Sequence, residues 1–173
     1  MCGIAGFFNK NNKLTNGKDL YEMVQTMHHR GPNDKGCYLN DHLGEAFFKD
    51  IAEQGEVKKG IVGLGHRRLS IIDLSSNGWQ PMTTNEDVIV VLNGEIYNYI
   101  ELRSELSSAG MVFHTDSDTE VVIKSYLKWG LDCFKRFNGM WAIGLYDKKN
   151  DCLILTRDRL GKKPLYYYHT QDQ

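Results

Sequence analysis

The sequence predicts an α+β fold in which two β-sheets are covered by helices. Short runs rich in Val, Ile and aromatic residues recur along the chain, which is typical of many short strands. Segments with apolar residues at helical spacing lie among them, two of them in succession in the middle. No repeat, low-complexity tract or linker interrupts residues 1–173, so we expect a single domain, long enough to bury a sizeable core.

The first half of the chain is predicted to contain several strands and one helix. Gly3 to Phe8, Gly36 to Leu39 and Gly44 to Phe48 are β-like runs. Residues 19–29, DLYEMVQTMHH, carry apolar side chains at helical spacing, and a Gly-Pro pair follows them. The polar, glycine-bounded segment 53–60 is predicted to be a surface loop.

The second half is predicted to contain core strands on either side of two helices. IVGLGHRRLSIID and VIVVLNGE are rich in Val and Ile, as buried strands are. Asn98 stands in the cap position of one helix, and Ser117 with Glu120 forms an S-x-x-E capping box at the start of the next. The chain then continues with the strand-like runs MWAIGLYD, CLILTRD and PLYYY.

Composition and charge exclude several classes of partner. The formal net charge is −1, with both signs interspersed, so neither nucleic acid nor an anionic membrane surface is expected as a partner. The apolar runs are far shorter than the roughly 20 residues needed to span a bilayer. The 4 cysteines are widely spread and form no C-x-x-C pair, which argues against a metal site and favours a reducing, cytoplasmic environment.

Cys2 stands directly behind the initiator methionine, in front of an apolar run. Methionine ahead of a small residue is commonly removed, which would give Cys2 a free α-amine. An α-amine has an ordinary pKa near ~8, so it can take a proton from the thiol, and one residue then supplies both nucleophile and base. A small buried hydrophobic residue is the alternative interpretation of a cysteine at this position.

Asn93 and Gly94 follow a strand-like run and could form an oxyanion hole. An amide side chain and an open backbone N–H are suitable donors to the oxyanion that forms when a thiolate attacks an amide carbonyl. Asn-Gly after a strand is also the commonest hairpin signal. The residues that follow, IYNYIELR, resemble the start of a helix, which fits a hairpin poorly.

An arginine in the predicted strand and an aspartate at a predicted helix start suggest a substrate that carries both a carboxylate and an ammonium group, as a free amino acid does. Arg67 and Arg68 lie in a Val- and Leu-rich strand, so period-two alternation points one of them inward, where a guanidinium suits a carboxylate. Asp118 stands at a predicted helix start and could bind an ammonium group. A structural ion pair for the arginine and a helix-end role for Asp118 are the alternatives. A thiol nucleophile, an oxyanion hole and these two charges together suit glutamine.

Longer motifs resemble a known family. In order along the chain they are MCGIAGFF, MHHRGPND, GHRRLSIIDLSSNGWQPM, LNGEIYNYIELRSEL, SDTEVV, FNGMWAIGLYD and LTRDRLGKKPLYYY. They resemble class II glutamine amidotransferases over nearly the whole chain. Within that class, RGPND followed by RRLSIID is similar to the glutaminase domain of glutamine-hydrolysing asparagine synthetases of the bacterial B type.

The resemblance implies a fold and a role for each site residue. The fold would be the four-layer αββα sandwich of N-terminal nucleophile hydrolases, with two antiparallel sheets between helical layers. Cys2 would be the nucleophile, and Asn93 with Gly94 would form the oxyanion hole. The residues expected to bind glutamine are Arg68 at its α-carboxylate, Glu95 and Asp118 near its α-amine, and Leu69 and Ile71 in the pocket wall.

The resemblance also implies a partner for the chain. Ammonia would pass to an ATP-dependent synthetase domain, C-terminal or separate, and ATP and Mg²⁺ would act there, with no cofactor in residues 1–173. These residues contain no SGGxDS-like phosphate loop, so an excised domain or a split subunit is expected, and a homodimer is a further expectation. Three alternatives stay open: an amidotransferase acting on a sugar or other metabolite carboxylate, an acylase- or peptidase-like relative, and a non-catalytic binding module.

Overall fold

The computed structural model describes residues 1–54, 58–84 and 87–170, which fall into two compact units. The first unit comprises Met1–Leu69, Trp79–Pro81 and Leu165–Gln173, and the second comprises Ser70–Gly78 and Met82–Pro164. Each unit has its own antiparallel sheet with helical cover. The predicted mixture of helices and antiparallel sheets is therefore confirmed.

The sheet of the first unit has the strand order β1-β6-β3-β4, and all its pairs are antiparallel. A two-stranded ribbon, β2 with β5, accompanies it. The strands are β1 (Gly3–Phe8), β2 (Thr15–Asn16), β3 (Asp34–Asn40), β4 (Glu45–Phe48), β5 (Lys59–Gly60) and β6 (Val62–Arg68). Helix α1 (Gly17–Thr26) packs on one face, where Leu20 and Val24 are completely buried.

Helix α1 begins where the side chain of Asn16 accepts a hydrogen bond from the backbone N–H of Lys18, at 2.8 Å. The helix therefore starts two residues before the predicted segment 19–29 and ends at Thr26, short of its end. Of the predicted loop 53–60, residues 55–57 lie outside the described residues. The loop prediction is wrong for Lys59–Gly60, which forms β5 because its backbone pairs with β2.

The sheet of the second unit has the order β7-β8-β9, again antiparallel. Its core is formed by apolar side chains of the sheet and of the helices packed on it, including Leu92, Val122 and Ile143, each at most 2% exposed. The elements are β7 (Val88–Ile96), β8 (Gly139–Asp147), β9 (Cys152–Arg157), α2 (Tyr99–Ser108), α3 (Asp118–Trp129) and α4 (Cys133–Arg136).

Two predicted strands differ from the structure, and a third is confirmed. Strand β6 ends at Arg68, so SIID is not part of it. Strand β7 covers the predicted run VIVVLNGE and continues one residue further, to Ile96, because β8 pairs with it along this whole stretch. The run PLYYY is not a strand, and Tyr166, Tyr167 and Tyr168 are 91%, 77% and 85% exposed.

The predicted cap of α2 is correct in position and wrong in chemistry. Asn98 precedes the helix, but its side chain makes no capping bond. The amide instead accepts from the backbone N–H of Asn138 at 2.8 Å and donates to the carbonyl of Arg136 at 3.1 Å. It therefore ties the start of α2 to the segment that leads into β8.

Within the described ranges, no helix combines the length and the apolar character needed to cross a bilayer. Those residues also contain no cluster of three or more His, Cys, Asp or Glu side chains placed to hold a metal ion.

Candidate active site

The predicted site residues are distributed over both compact units. The first unit contains Cys2, Arg68 and Leu69. The second unit contains the remaining five: Ile71, Asn93, Gly94, Glu95 and Asp118. Of the two predicted pocket-wall residues, Leu69 is half-buried and Ile71 is 57% exposed.

Cys2 lies directly before β1, beside the end of β6. Gly3 is the register partner of Arg67, which brings the thiol to the backbone of Leu69. The N–H of Leu69 donates to Cys2 Sγ at 3.3 Å, and Sγ lies 3.6 Å from the Leu69 carbonyl oxygen. The half-buried thiol is therefore held in one place by main-chain groups.

The other cysteines differ from Cys2 in environment. Burial raises the pKa of both the Cys37 and the Cys133 thiols to about 12, so each stays protonated at neutral pH. Cys152, at the start of β9, is exposed. The cysteines are all thiols rather than disulfides, and the backbone N–H of Leu69 donates to the sulfur of Cys2.

Both arginines at the end of β6 are buried, whereas alternation predicted that one would face inward. Arg67 is 4% exposed and Arg68 is 6% exposed. Adjacent strand residues point to opposite faces, and this sheet is covered on both: α1 packs on one face, and Trp79 lies against Gly36 on the other. Arg68 thus carries a buried positive charge one residue before Leu69, the residue that holds the Cys2 thiol.

Asn93 and Gly94 lie within β7 rather than in a hairpin turn. Asn93 is 5% exposed, and its Oδ1 has no hydrogen-bond partner among the described residues. Gly94 is paired with Trp141 and has φ +158°. A Cβ at Gly94 would overlap the carbonyl oxygen of Met140 and lie 2.6 Å from the Trp141 Cα. Only glycine fits at this point of the β7–β8 pair.

Replacing Gly94 by alanine is expected to lower the free energy of unfolding by roughly 3 kcal/mol, because backbone atoms of β8 cannot move aside cheaply. Gly110→Ala is the matched control: Gly110 has φ +89°, but nothing lies within 4 Å of its added Cβ. That control should cost only about 1–2 kcal/mol. Urea denaturation measures both, and equal losses would contradict the overlap at Gly94.

Asp118 is the first residue of α3 and is 5% exposed. Its Oδ2 accepts a hydrogen bond from the backbone N–H of Ile96 at 2.9 Å, which links the helix start to the end of β7. Burial is the main cause that raises the pKa of Asp118 from its ordinary value near 3.8 to about 6. The nearby negative charge of Glu95 also raises this pKa, whereas backbone hydrogen bonds, including the one from Ile96, lower it. A buried carboxylate with a raised pKa gains from a cationic partner.

The predicted capping box at α3 is only half correct. The Ser117 hydroxyl accepts from the N–H of Thr119 at 3.2 Å, so Ser117 caps the helix. Glu120, fully buried, does not reach back to Ser117; its carboxylate instead accepts hydrogen bonds from His114 and Thr115. The S-x-x-E spacing gives no signal for this use of Glu120.

The model of the glutamine amidotransferase domain family matches residues 1–49 and 50–173. The chain belongs to the glutamine amidotransferase domain family. The predicted resemblance, and the enzyme class that it implies, are thereby confirmed at the level of the family.

Curated relatives support the same branch. Asparagine synthetase [glutamine-hydrolyzing] 1 of Bacillus subtilis is 39% identical over 178 residues, which cover 100% of this chain and 25% of the relative. Asparagine synthetase [glutamine-hydrolyzing] 3 of the same organism is 34% identical and is matched over 96% of this chain and 25% of its own length. The chain thus corresponds to about a quarter of these larger proteins.

Solved structures of amidotransferases confirm the fold. The glutamine phosphoribosylpyrophosphate amidotransferase of B. subtilis, complexed with ADP and GMP, aligns with a TM-score of 0.68 at 21% identity. The alignment covers 91% of this chain and 36% of that one. The amidotransferase domain family and this alignment together confirm the predicted fold class.

Proposed function

We propose that the chain hydrolyses the side-chain amide of glutamine to glutamate and ammonia, with Cys2 as the nucleophile. The observation that carries this proposal is the Cys2 thiol, held by the backbone N–H of Leu69 at 3.3 Å in a member of the amidotransferase family. Removal of Met1 would free the α-amine of Cys2, which then serves as the base. The nucleophile and its base are thus both on Cys2, directly before β1, and the N–H that orients the thiol is on Leu69, directly after β6.

The first half of the reaction is an acyl transfer. Cys2 Sγ bonds to the amide carbon of glutamine, and the carbonyl oxygen becomes an oxyanion that accepts from the Asn93 amide and the Gly94 N–H. Collapse of this intermediate breaks the carbon–nitrogen bond. The amine of Cys2 returns the proton to the departing nitrogen, which leaves as ammonia. The product is a γ-glutamyl thioester on Cys2.

The second half releases glutamate. The same amine takes a proton from water, the resulting oxygen nucleophile attacks the thioester, and the carbon–sulfur bond breaks to restore the thiol. Arg68 binds the α-carboxylate of the substrate and Asp118 its α-ammonium, with Glu95 adding negative charge nearby. Leu69 and Ile71 complete the pocket wall. Both charges of a free amino acid are matched, which a peptidase or an acylase does not need.

The ammonia is proposed to be used by an ATP-dependent synthetase region outside these residues. The asparagine synthetase relatives, three to four times longer than the match, support aspartate as the acceptor. ATP and Mg²⁺ are then needed in that region rather than here. The phosphoribosylpyrophosphate amidotransferase has a similar fold, so an acceptor on another metabolite is the second candidate. Homodimer formation and a cytoplasmic location stay predictions.

Glutamine analogues test this assignment directly. Purified full-length chain is incubated with L-glutamine, with N-acetyl-L-glutamine, which lacks the ammonium group, and with L-glutamine methyl ester, which lacks the carboxylate. Release of glutamate from L-glutamine, with kcat/KM lower by on the order of 100-fold for each analogue, is the expected result. Equal turnover of all three compounds would indicate an acylase-like activity instead.

Asn93→Ala is expected to lower kcat for glutamine by about 100- to 1,000-fold, because one donor to the oxyanion is lost in the transition state. KM should change little, since the ground-state amide gains little from that donor. Asn98→Ala is the matched control: its amide bonds the backbone of Asn138 and Arg136, so stability falls and kcat stays the same. A kcat for Asn93→Ala within tenfold of the parent would remove Asn93 from the oxyanion hole.

A further inference from the structure

We infer that Glu120 is a positioning residue for glutamine binding: its buried carboxylate fixes the segment 114–117, and that segment sets the place of Asp118. The inference rests on the proposed function, in which Asp118 binds the substrate ammonium. Glu120 itself is not proposed to touch the substrate. It would act on affinity through a short series of hydrogen bonds within the second unit.

The Glu120 carboxylate binds the segment through three donors. Its oxygens accept from the N–H of His114 at 3.0 and 3.1 Å, from the N–H of Thr115 at 2.7 Å and from the Thr115 hydroxyl at 2.9 Å. The side chain is 0% exposed. Three donors directed at one buried carboxylate are matched by its several acceptor sites. The charge is thus balanced at least in part by main-chain and hydroxyl dipoles.

Further bonds extend from Thr115 to the helix start. Thr115 Oγ1 accepts from the N–H of Ser117 at 3.1 Å, and the Ser117 hydroxyl accepts from the N–H of Thr119 at 3.2 Å. Asp118 lies between those two residues. Its carboxylate is fixed at the other side by the N–H of Ile96. A shift of Thr115 would therefore move the cap and the carboxylate together.

Two other side chains complete the attachment of the segment. Asp73 Oδ2 accepts from the N–H of Asp116 at 3.1 Å, and Arg103, stacked over Phe113 at 4.5 Å, donates to the Ser117 carbonyl at 3.3 Å. The four consecutive N–H groups of residues 114–117 are thus all accepted by side-chain oxygens. Glu120 accepts two of these four hydrogen bonds. We therefore expect its removal to displace the segment 114–117 more than the removal of either other acceptor.

Glu120→Gln is the first test, because the amide keeps the shape but can accept at one oxygen only, and its NH₂ would face backbone donors. Thr115→Val is the second, since it removes the hydroxyl between Glu120 and Ser117 and leaves the carboxylate in place. Each is expected to raise KM for glutamine by roughly tenfold, with kcat within about twofold of the parent. Activity is measured in the full-length chain well below its unfolding temperature.

Asp147→Asn is the matched control for loss of a buried carboxylate. Asp147 is 5% exposed and accepts from the Tyr126 hydroxyl at 2.8 Å. It pairs with Val88, at the end of β7 and β8 opposite to Ile96. Asp147→Asn should lower the unfolding temperature by about as much as Glu120→Gln does. It should leave KM for glutamine unchanged. An equal rise in KM would make the effect of Glu120 a general loss of stability and overturn the inference.

A double-mutant cycle separates positioning from other causes. If Glu120 acts through Asp118, Glu120→Gln should change kcat/KM by less than about twofold once Asp118→Asn is present. The same tenfold loss in both backgrounds would overturn the inference and leave the proposed function standing. If Asp118→Asn alone leaves kcat/KM unchanged, the proposed role of Asp118 fails, and the inference fails with it.

Discussion

Cys2→Ala is expected to abolish glutamine hydrolysis, with kcat lower by about 10⁶-fold, because the reaction loses the atom that forms the covalent intermediate. Glutamine binding should persist, since its charged groups are assigned to Arg68 and Asp118. Ammonia release measures the first effect, and isothermal titration calorimetry measures the second. A loss of both would indicate a disturbed fold rather than a missing nucleophile.

Cys152→Ala is the matched control for this experiment. Cys152 is exposed at the start of β9, and it has no place in the proposed mechanism. Its replacement should leave kcat within about twofold of the parent. Activity that survives in Cys2→Ala and disappears in Cys152→Ala would contradict the assignment outright.

Asp118→Asn is expected to weaken glutamine binding and to stabilise the fold at the same time. The neutral amide loses the charge that faces the substrate ammonium, so kcat/KM should fall by on the order of 100-fold. The amide oxygen can still accept from the N–H of Ile96, the bond made at 2.9 Å in the parent. At pH 7 the variant also avoids burying an ionised carboxylate, a cost of about 3 kcal/mol for a pKa raised from 3.8 to about 6.

The sign of the pH dependence follows from that raised pKa. Between pH 3.8 and about 6 the folded chain holds a proton on Asp118 that the unfolded chain has lost. The contribution of Asp118 to stability is therefore fully present below this window and is lost as the pH rises through it. Urea titrations at pH 4 and pH 7.5 should show the variant gaining stability over the parent only at the higher pH. A gain of equal size at both pH values would contradict a buried, ionised Asp118.

Substrate affinity should depend on pH in the opposite direction. Only the ionised form of Asp118 attracts an ammonium group, so kcat/KM for glutamine should fall as the pH drops below about 6. The same side chain thus costs stability in the form in which it is proposed to bind. This is the kind of compromise expected where a buried charge serves function rather than folding.

The strands that carry the proposed nucleophile could be predicted from the sequence because their patterns are local. The apolar run Gly3–Phe8 forms β1 as predicted, and the Val-rich run before Asn93 forms β7. The role of Cys2 is predicted only from its combination with Asn93, Gly94, Arg68 and Asp118 and from the family resemblance. Its contact with Leu69 was not predictable, since it depends on pairing across 67 residues of sequence.

The features that could not be predicted depend on tertiary contacts. The run VIVVLNGE predicts the strand through Asn93 and Gly94, but the need for glycine at 94 depends on the close approach of Met140 in β8. The spacing of Ser117 and Glu120 is that of a capping box, yet Glu120 binds the preceding loop. Burial of both arginines in β6 likewise depends on what covers each face of the sheet.

The most direct test of the proposed nucleophile is the intact mass of the full-length chain before and after reaction with a diazo-ketone analogue of glutamine. We expect loss of Met1 followed by a single adduct that peptide mapping places on Cys2. The adduct should be suppressed by excess L-glutamine. A retained Met1, or adducts distributed over Cys37, Cys133 and Cys152, would contradict Cys2 as the N-terminal nucleophile.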